Sequence, residues 1–67
     1  MAVVKVIELI GISEKSFDEA VKNALEEAQE TIKGITGIKV LGWTADVEDG
    51  RIVSYKANVK VAFKIER

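Results

Sequence analysis

Residues 2–10, AVVKVIELI, put β-branched and aliphatic side chains on both alternating faces of one short stretch, and no other feature of the chain restricts its fold as much. Val3, Ile7 and Leu9 share one face, Val4, Val6 and Ile10 share the other, and Gly11 closes the run as a turn residue would. A strand of this kind has to be covered twice. Only one helical segment follows it, so one face is left for something else to bury. Either the strand is simply very hydrophobic, or its second face meets a neighbouring subunit.

Size favours the neighbour. The 67 residues make a single domain, residues 1–67. A domain this small buries only about 60% of the surface its unfolded chain exposes. Small domains usually add disulfides, a structural metal or association. With no cysteine and no histidine, disulfides and the common zinc sites are removed and association is what remains. The 48% hydrophobic and 31% charged residues, without proline, belong to a chain that folds rather than one that stays disordered. We expect a homo-oligomer.

The segment SEKSFDEAVKNALEEAQETIKG has one apolar stripe at helical spacing, formed by Phe17, Ala20, Val21, Ala24, Leu25, Ala28 and Ile32. Ser16 and Glu19 have the spacing of a reciprocal capping box. Asp18 and Glu19 fall in the first turn, Lys33 in the last, and Gly34 suits a left-handed end. The outer residues Glu26, Glu27 and Glu30 read as a solvated face rather than a cation site.

Asp49-Gly50 then predicts a type I′ hairpin between two strands. The second of these alternates cleanly: Tyr55, Ala57, Val59, Val61, Phe63 and Ile65 on one face, Lys56, Asn58, Lys60 and Lys64 on the other. An unbroken ladder from a two-residue turn places Val40 opposite Val59 and Ile38 opposite Val61, under the helix. The same ladder places Trp43 opposite Lys56, Leu41 opposite Asn58 and Lys39 opposite Lys60, all on the far face. A bulge between residue 41 and the turn would reverse this for Trp43. Lys39 facing Lys60 is unfavourable unless an acid of another chain or an anionic ligand lies between them. The fold is therefore α+β, a β-α-β-β chain whose three-stranded antiparallel sheet wraps around one amphipathic helix.

Function classes narrow in parallel. Ten Lys and Arg against eleven Asp and Glu give a net charge of −1, which offers no field for nucleic acid or an anionic membrane. The apolar N-terminus is too short to span a membrane, carries Lys5 and Glu8, and lacks a following cleavage site, so we expect a cytoplasmic protein. No histidine or cysteine is available for acid–base or nucleophilic work, Ser13 and Ser16 sit where turns and caps want serine, and the glycines form no phosphate loop. We expect no enzyme. Asp46 and Glu48 could hold calcium or do acid–base work, but in a surface hairpin such pairs are more often solvated charges.

The run KVIELIGISEKSFDEAVKNALEEAQETIKGI resembles the first half of a dodecin, with the strand, the G-x-S turn, the Ser-Phe helix start and the alanine-rich helix in register. YKANVKVAFKIE resembles the last strand of that family, and the resemblance covers nearly the whole chain without gaps. It implies a hollow shell of twelve identical subunits, helices outward and sheets lining the interior. It also implies paired flavins, riboflavin or FMN, each stacked on a tryptophan near the start of the second strand and met by a glutamine of the third. That role is storage and quenching of a photoreactive cofactor. Aligned without gaps, the tryptophan falls on Gly37 and the glutamine on Lys56. Glycine has no side chain to stack.

Trp43 lies an even offset from Gly37 and shares its face if the strand is regular. It then fills an interface or core, or offers a relocated platform for a flat ligand with Lys56 beside it, or is merely exposed. Gly37, Trp43 and Lys56 are accordingly the candidate cofactor-binding residues, and none is a metal ligand. The leading expectation is a shell that sequesters a small ligand, flavin or another. The alternative is a shell without flavin, a scaffold or ion buffer, holding cations through Asp46, Glu48 and Asp49 across a symmetry axis.

Overall fold

The computed structural model describes residues 3–65. The elements are β1 (Val3–Ser13), α1 (Phe17–Thr31), β2 (Ile35–Glu48) and β3 (Arg51–Ile65). They form one antiparallel sheet in the order β1-β3-β2, with α1 across one face. The β-α-β-β expectation holds.

Alternation decides which strand is central. β3 is apolar on one face along its whole length, and Ala57, Val59 and Val61 are fully buried beneath α1. Helix and sheet come close because the contact residues are small: Ala20, Ala24 and Ala28 form one ridge of α1 and complete the buried cluster, with Ile7, Leu9 and Val40 packed around it. At the point of closest approach the strand residue is Gly11. A Cβ there would lie 1.9 Å from the Ala20 carbonyl oxygen, so no side chain fits.

The helix start differs from a reciprocal capping box. Ser16 caps as expected, its Oγ accepting from the Glu19 N–H at 3.1 Å. The return contact comes from Ser13 instead. This buried serine accepts from the Lys15 N–H at 2.9 Å and the Ser16 N–H at 3.4 Å, and donates to Glu19 at 3.4 Å. The end of the helix also differs: it stops at Thr31, so Lys33 lies beyond the last turn. Gly34 is left-handed, with φ at 79°, and its carbonyl accepts from the Lys64 N–H at 3.1 Å. The hairpin turn is as expected, with positive φ at both Asp49 and Gly50.

The ladder is not unbroken. Counting from the turn, Val53 is an extra residue on β3, Leu41 an extra residue on β2, and Thr36 a third irregularity. The first two shifts cancel, so Val40 faces Val59, Ile38 faces Val61 and Lys39 faces Lys60 as expected. Between them every β2 residue moves by one, and Trp43 faces Ala57 rather than Lys56.

Among the described residues, nothing covers the sheet face away from α1. Val4, Val6, Ile10 and Ile12 of β1 stand on it, each more than half exposed. The chain extends over 53 × 19 × 13 Å, with a Cα radius of gyration of 13.8 Å. A compact chain of this length has a radius near ~11 Å. The accessible surface, 5143 Å², likewise exceeds the ~4,200 Å² of a compact monomer of its mass.

Gly11→Ala should destabilise the protein by about 1–3 kcal/mol, because helix and strand must separate to admit the methyl group. Gly42→Ala, where a Cβ meets nothing within 4 Å, is the control and should change little. Urea midpoints at fixed protein concentration provide the comparison.

Candidate functional site

The register sorts the uncovered face into cross-strand rows. Val6, Ala62 and Gly37 form one, Glu8, Lys60 and Lys39 the next, then Ile10, Asn58 and Gly42, then Ile12, Lys56 and Thr44. The first row holds two residues with almost no side chain, Gly37 and Ala62, and a dip results. An open hollow of about 330 Å³ lies there, lined by Val6, Gly37, Ile38, Lys39, Lys60 and Ala62. That is at the small end of ligand-pocket volumes. The space above Gly37 is free, since a Cβ there would touch nothing within 4 Å.

Charge marks one wall of the hollow. Lys39 and Lys60 are directly opposed and both exposed, and Glu8 sits on the far side of Lys60. Lys56 is tied down differently, its Nζ lying 3.1 Å from an Asp46 carboxylate oxygen across the β2–β3 ladder. One row from the lysine pair, the Asn58 side-chain carbonyl is enclosed yet accepts no hydrogen bond among the described residues. Such an orphan costs about 1–3 kcal/mol unless a donor arrives from outside the chain.

Trp43 lies on the other face, which corrects the reading that set it beside Gly37 and Lys56. The extra residue Leu41 breaks the even offset between positions 37 and 43, and the shift at Val53 brings Trp43 over Ala57. Its indole meets Phe17 of α1 edge-on at 5.3 Å between centroids, and Phe17 meets Tyr55 in the same way at 4.9 Å. The three rings close the end of the core beside the helix N-terminus. The indole remains 49% exposed. Gly37 and Lys56, by contrast, share the uncovered face but lie six β3 positions apart, roughly 20 Å at strand rise. Within one protomer the three candidate residues do not converge.

The model of the Dodecin family matches residues 3–66. The chain belongs to the dodecin family. A curated relative, the calcium dodecin of Mycobacterium tuberculosis, is 29% identical over 65 residues, covering 97% of this chain and 92% of the relative. Among solved structures, a variant of Thermus thermophilus dodecin superposes with a TM-score of 0.96 at 25% identity, with 100% of both chains covered. Streptomyces coelicolor dodecin gives 0.94 at 27% identity, covering 98% of this chain and 94% of that one. The crystal structure of the M. tuberculosis calcium dodecin, described as having a novel calcium-binding site, gives 0.83 at 31% identity, covering 96% and 91%.

Within the dodecin fold, the hollow lies where the resemblance expects a stacking tryptophan. Gly37 therefore removes a platform and leaves a space. Of the other members of its row, Val6 was legible only as part of the second apolar face of β1, and Ala62 was not singled out from the sequence. The signal for the hollow was the alignment of two small residues, Gly37 and Ala62, across neighbouring strands, which only the register makes visible. No group of three or more Asp or Glu side chains comes together among the described residues.

Trp43→Ala should cost about 0.5–1.5 kcal/mol beyond its lost burial, while Trp43→Phe retains most of the edge-on contact. Neither should alter ligand binding at the Gly37 hollow, which lies on the opposite face. Urea midpoints and a ligand titration on the same samples read both effects.

Proposed function

We propose that this chain assembles into a cytoplasmic homododecameric shell without enzymatic activity, which sequesters a small ligand against the uncovered face of its sheet. One observation carries the reading: Val4, Val6, Ile10 and Ile12 form an apolar row on a face that no other described residues cover. Placing that face toward a shared interior supplies the missing cover, and family membership supports this arrangement. Self-association also suits a 67-residue chain without cysteine.

Flavin, riboflavin or FMN, is the ligand the family suggests. Its usual arrangement has no counterpart in one protomer, because Gly37 offers no ring, Lys56 is paired with Asp46 and Trp43 faces the helix. A site that used all three would draw on more than one copy. We therefore favour a ligand held by the hollow itself, with flavin bound weakly and without stacking. The second reading, an ion-buffering shell, rests on the calcium dodecin relative. It needs carboxylates such as Glu48 and Asp49 from several copies, since Asp46 is already engaged by Lys56.

Light scattering tests the assembly. The expected mass is about twelve times the 7.3 kDa of one chain, and a monomer at micromolar concentration would overturn the proposal. Gly37→Trp tests the ligand face. The space is open, so the variant should fold and assemble, and should gain about tenfold in flavin affinity with quenched flavin fluorescence. An assembled Gly37→Trp shell that binds flavin no better than the parent would speak against the hollow as the ligand position.

A further inference from the structure

We infer that Asp49 is a site of slow self-modification, cyclising onto the Gly50 nitrogen and reopening as isoaspartate at the tip of the β2–β3 hairpin. The site lies at the far end of the sheet from Gly37 and requires neither assembly nor a bound ligand. In the first step the Gly50 nitrogen bonds to the side-chain carbonyl carbon of Asp49, and the carboxyl hydroxyl leaves with the N–H proton as water. A five-membered succinimide results. Water then adds to either ring carbonyl. One opening restores aspartate, and the other leaves the main chain running through the side-chain carbon. The sum is an isomerisation: mass is unchanged and no oxidant or reductant takes part. The added methylene lengthens a turn whose two residues set the Glu48–Arg51 pair.

The turn favours the first step in several ways. Gly50 places no side chain beside the attacking nitrogen, and of the Asp and Asn residues in the sequence Asp49 alone precedes a glycine. The Glu48–Arg51 pair closes the ladder, so the Gly50 N–H lies outside it, and it makes no other backbone hydrogen bond among the described residues. Asp49 already has φ at 52°, which few residues other than glycine adopt. That value suits the first central residue of both hairpin turns, type I′ and type II′. Rotating the 49–50 peptide plane alone converts one into the other, because Gly50 accepts either sign of φ. In the type II′ form Asp49 has ψ of about −120°, which eclipses the Gly50 nitrogen with Cβ and brings it within reach of Cγ. The surroundings leave that rotation free. β1 ends opposite Tyr55, so residues 51–54 meet no strand but β2, and residues 46–53 are all exposed. Such an arm opens at little cost. Asp46 lacks these features: Val47 follows it, and Lys56 holds its carboxylate at 3.1 Å.

The test holds the full-length protein at neutral pH and physiological temperature for weeks, folded in one series and unfolded in guanidinium chloride in the other. Tryptic cleavage after Lys39 and Arg51 releases residues 40–51, which carry Asp46 as an internal reference. The isoaspartyl peptide separates by chromatography, and electron-transfer fragmentation locates the additional main-chain carbon. Isoaspartate should accumulate at Asp49 in the folded protein at no less than about a tenth of the unfolded rate, and not at Asp46. Asp49→Asn keeps a dipeptide suited to the turn and should convert faster through the same ring, with loss of ammonia. Asp49→Glu would need a six-membered ring and should stop the reaction. A folded rate below that tenth would overturn the inference, because the turn would then shield its own peptide bond. So would isoaspartate confined to Asp46, or isoaspartate that persists in the Asp49→Glu variant.

Discussion

The contact on which this fold depends is the close seating of an alanine ridge on the central strand. Ala20, Ala24 and Ala28 approach Ala57, Val59 and Val61 so tightly that the neighbouring strand must carry glycine at position 11. A core of small residues buries little apolar area per contact, and hydrophobic stabilisation scales with that area. The helix therefore stabilises one face of the sheet and leaves the other untouched. A three-stranded sheet with one face covered, in so short a chain, has a small core, and the proposed self-association would supply the cover it lacks.

The same division separates the two kinds of aromatic and basic residue in the chain. On the covered face, Trp43, Phe17 and Tyr55 stack edge-on and seal the end of the core. The uncovered face has no ring near the hollow at Gly37 and carries its lysines in alternate rows. One relative is named a calcium dodecin, whereas the family resemblance implies flavin, so a single fold is associated with different ligands.

Much of this was legible in the amino-acid order. The helix, its start and the hairpin turn came from period, capping residues and Asp49-Gly50, because these are local effects. The end of β1 did not, since Gly11, read as a turn residue, lies inside a strand that runs to Ser13. Nor did the helix end, which falls at Thr31 before Lys33. The pairing of Lys39 with Lys60 was also legible, but only because two bulges cancel before that point. Trp43 shows where such reasoning stops. Its face depends on one extra residue at Val53 and one at Leu41, and neither position carries a glycine or other sequence mark of a bulge. Ser13 was read simply as a turn serine, yet it joins the helix cap because the end of β1 brings its hydroxyl under the Lys15 and Ser16 N–H groups. The hollow was illegible for a related reason, since it is a property of three strands together.

Small-angle X-ray scattering from the protein in solution is the most direct test of the claim that the uncovered sheet face lines a shared interior. A closed shell gives a deep first minimum in the curve and a pair-distance distribution skewed toward large separations, as hollow particles do. Single chains with the face left exposed would give instead a smooth decay from an elongated particle some 53 Å long, and that curve would contradict the shared interior.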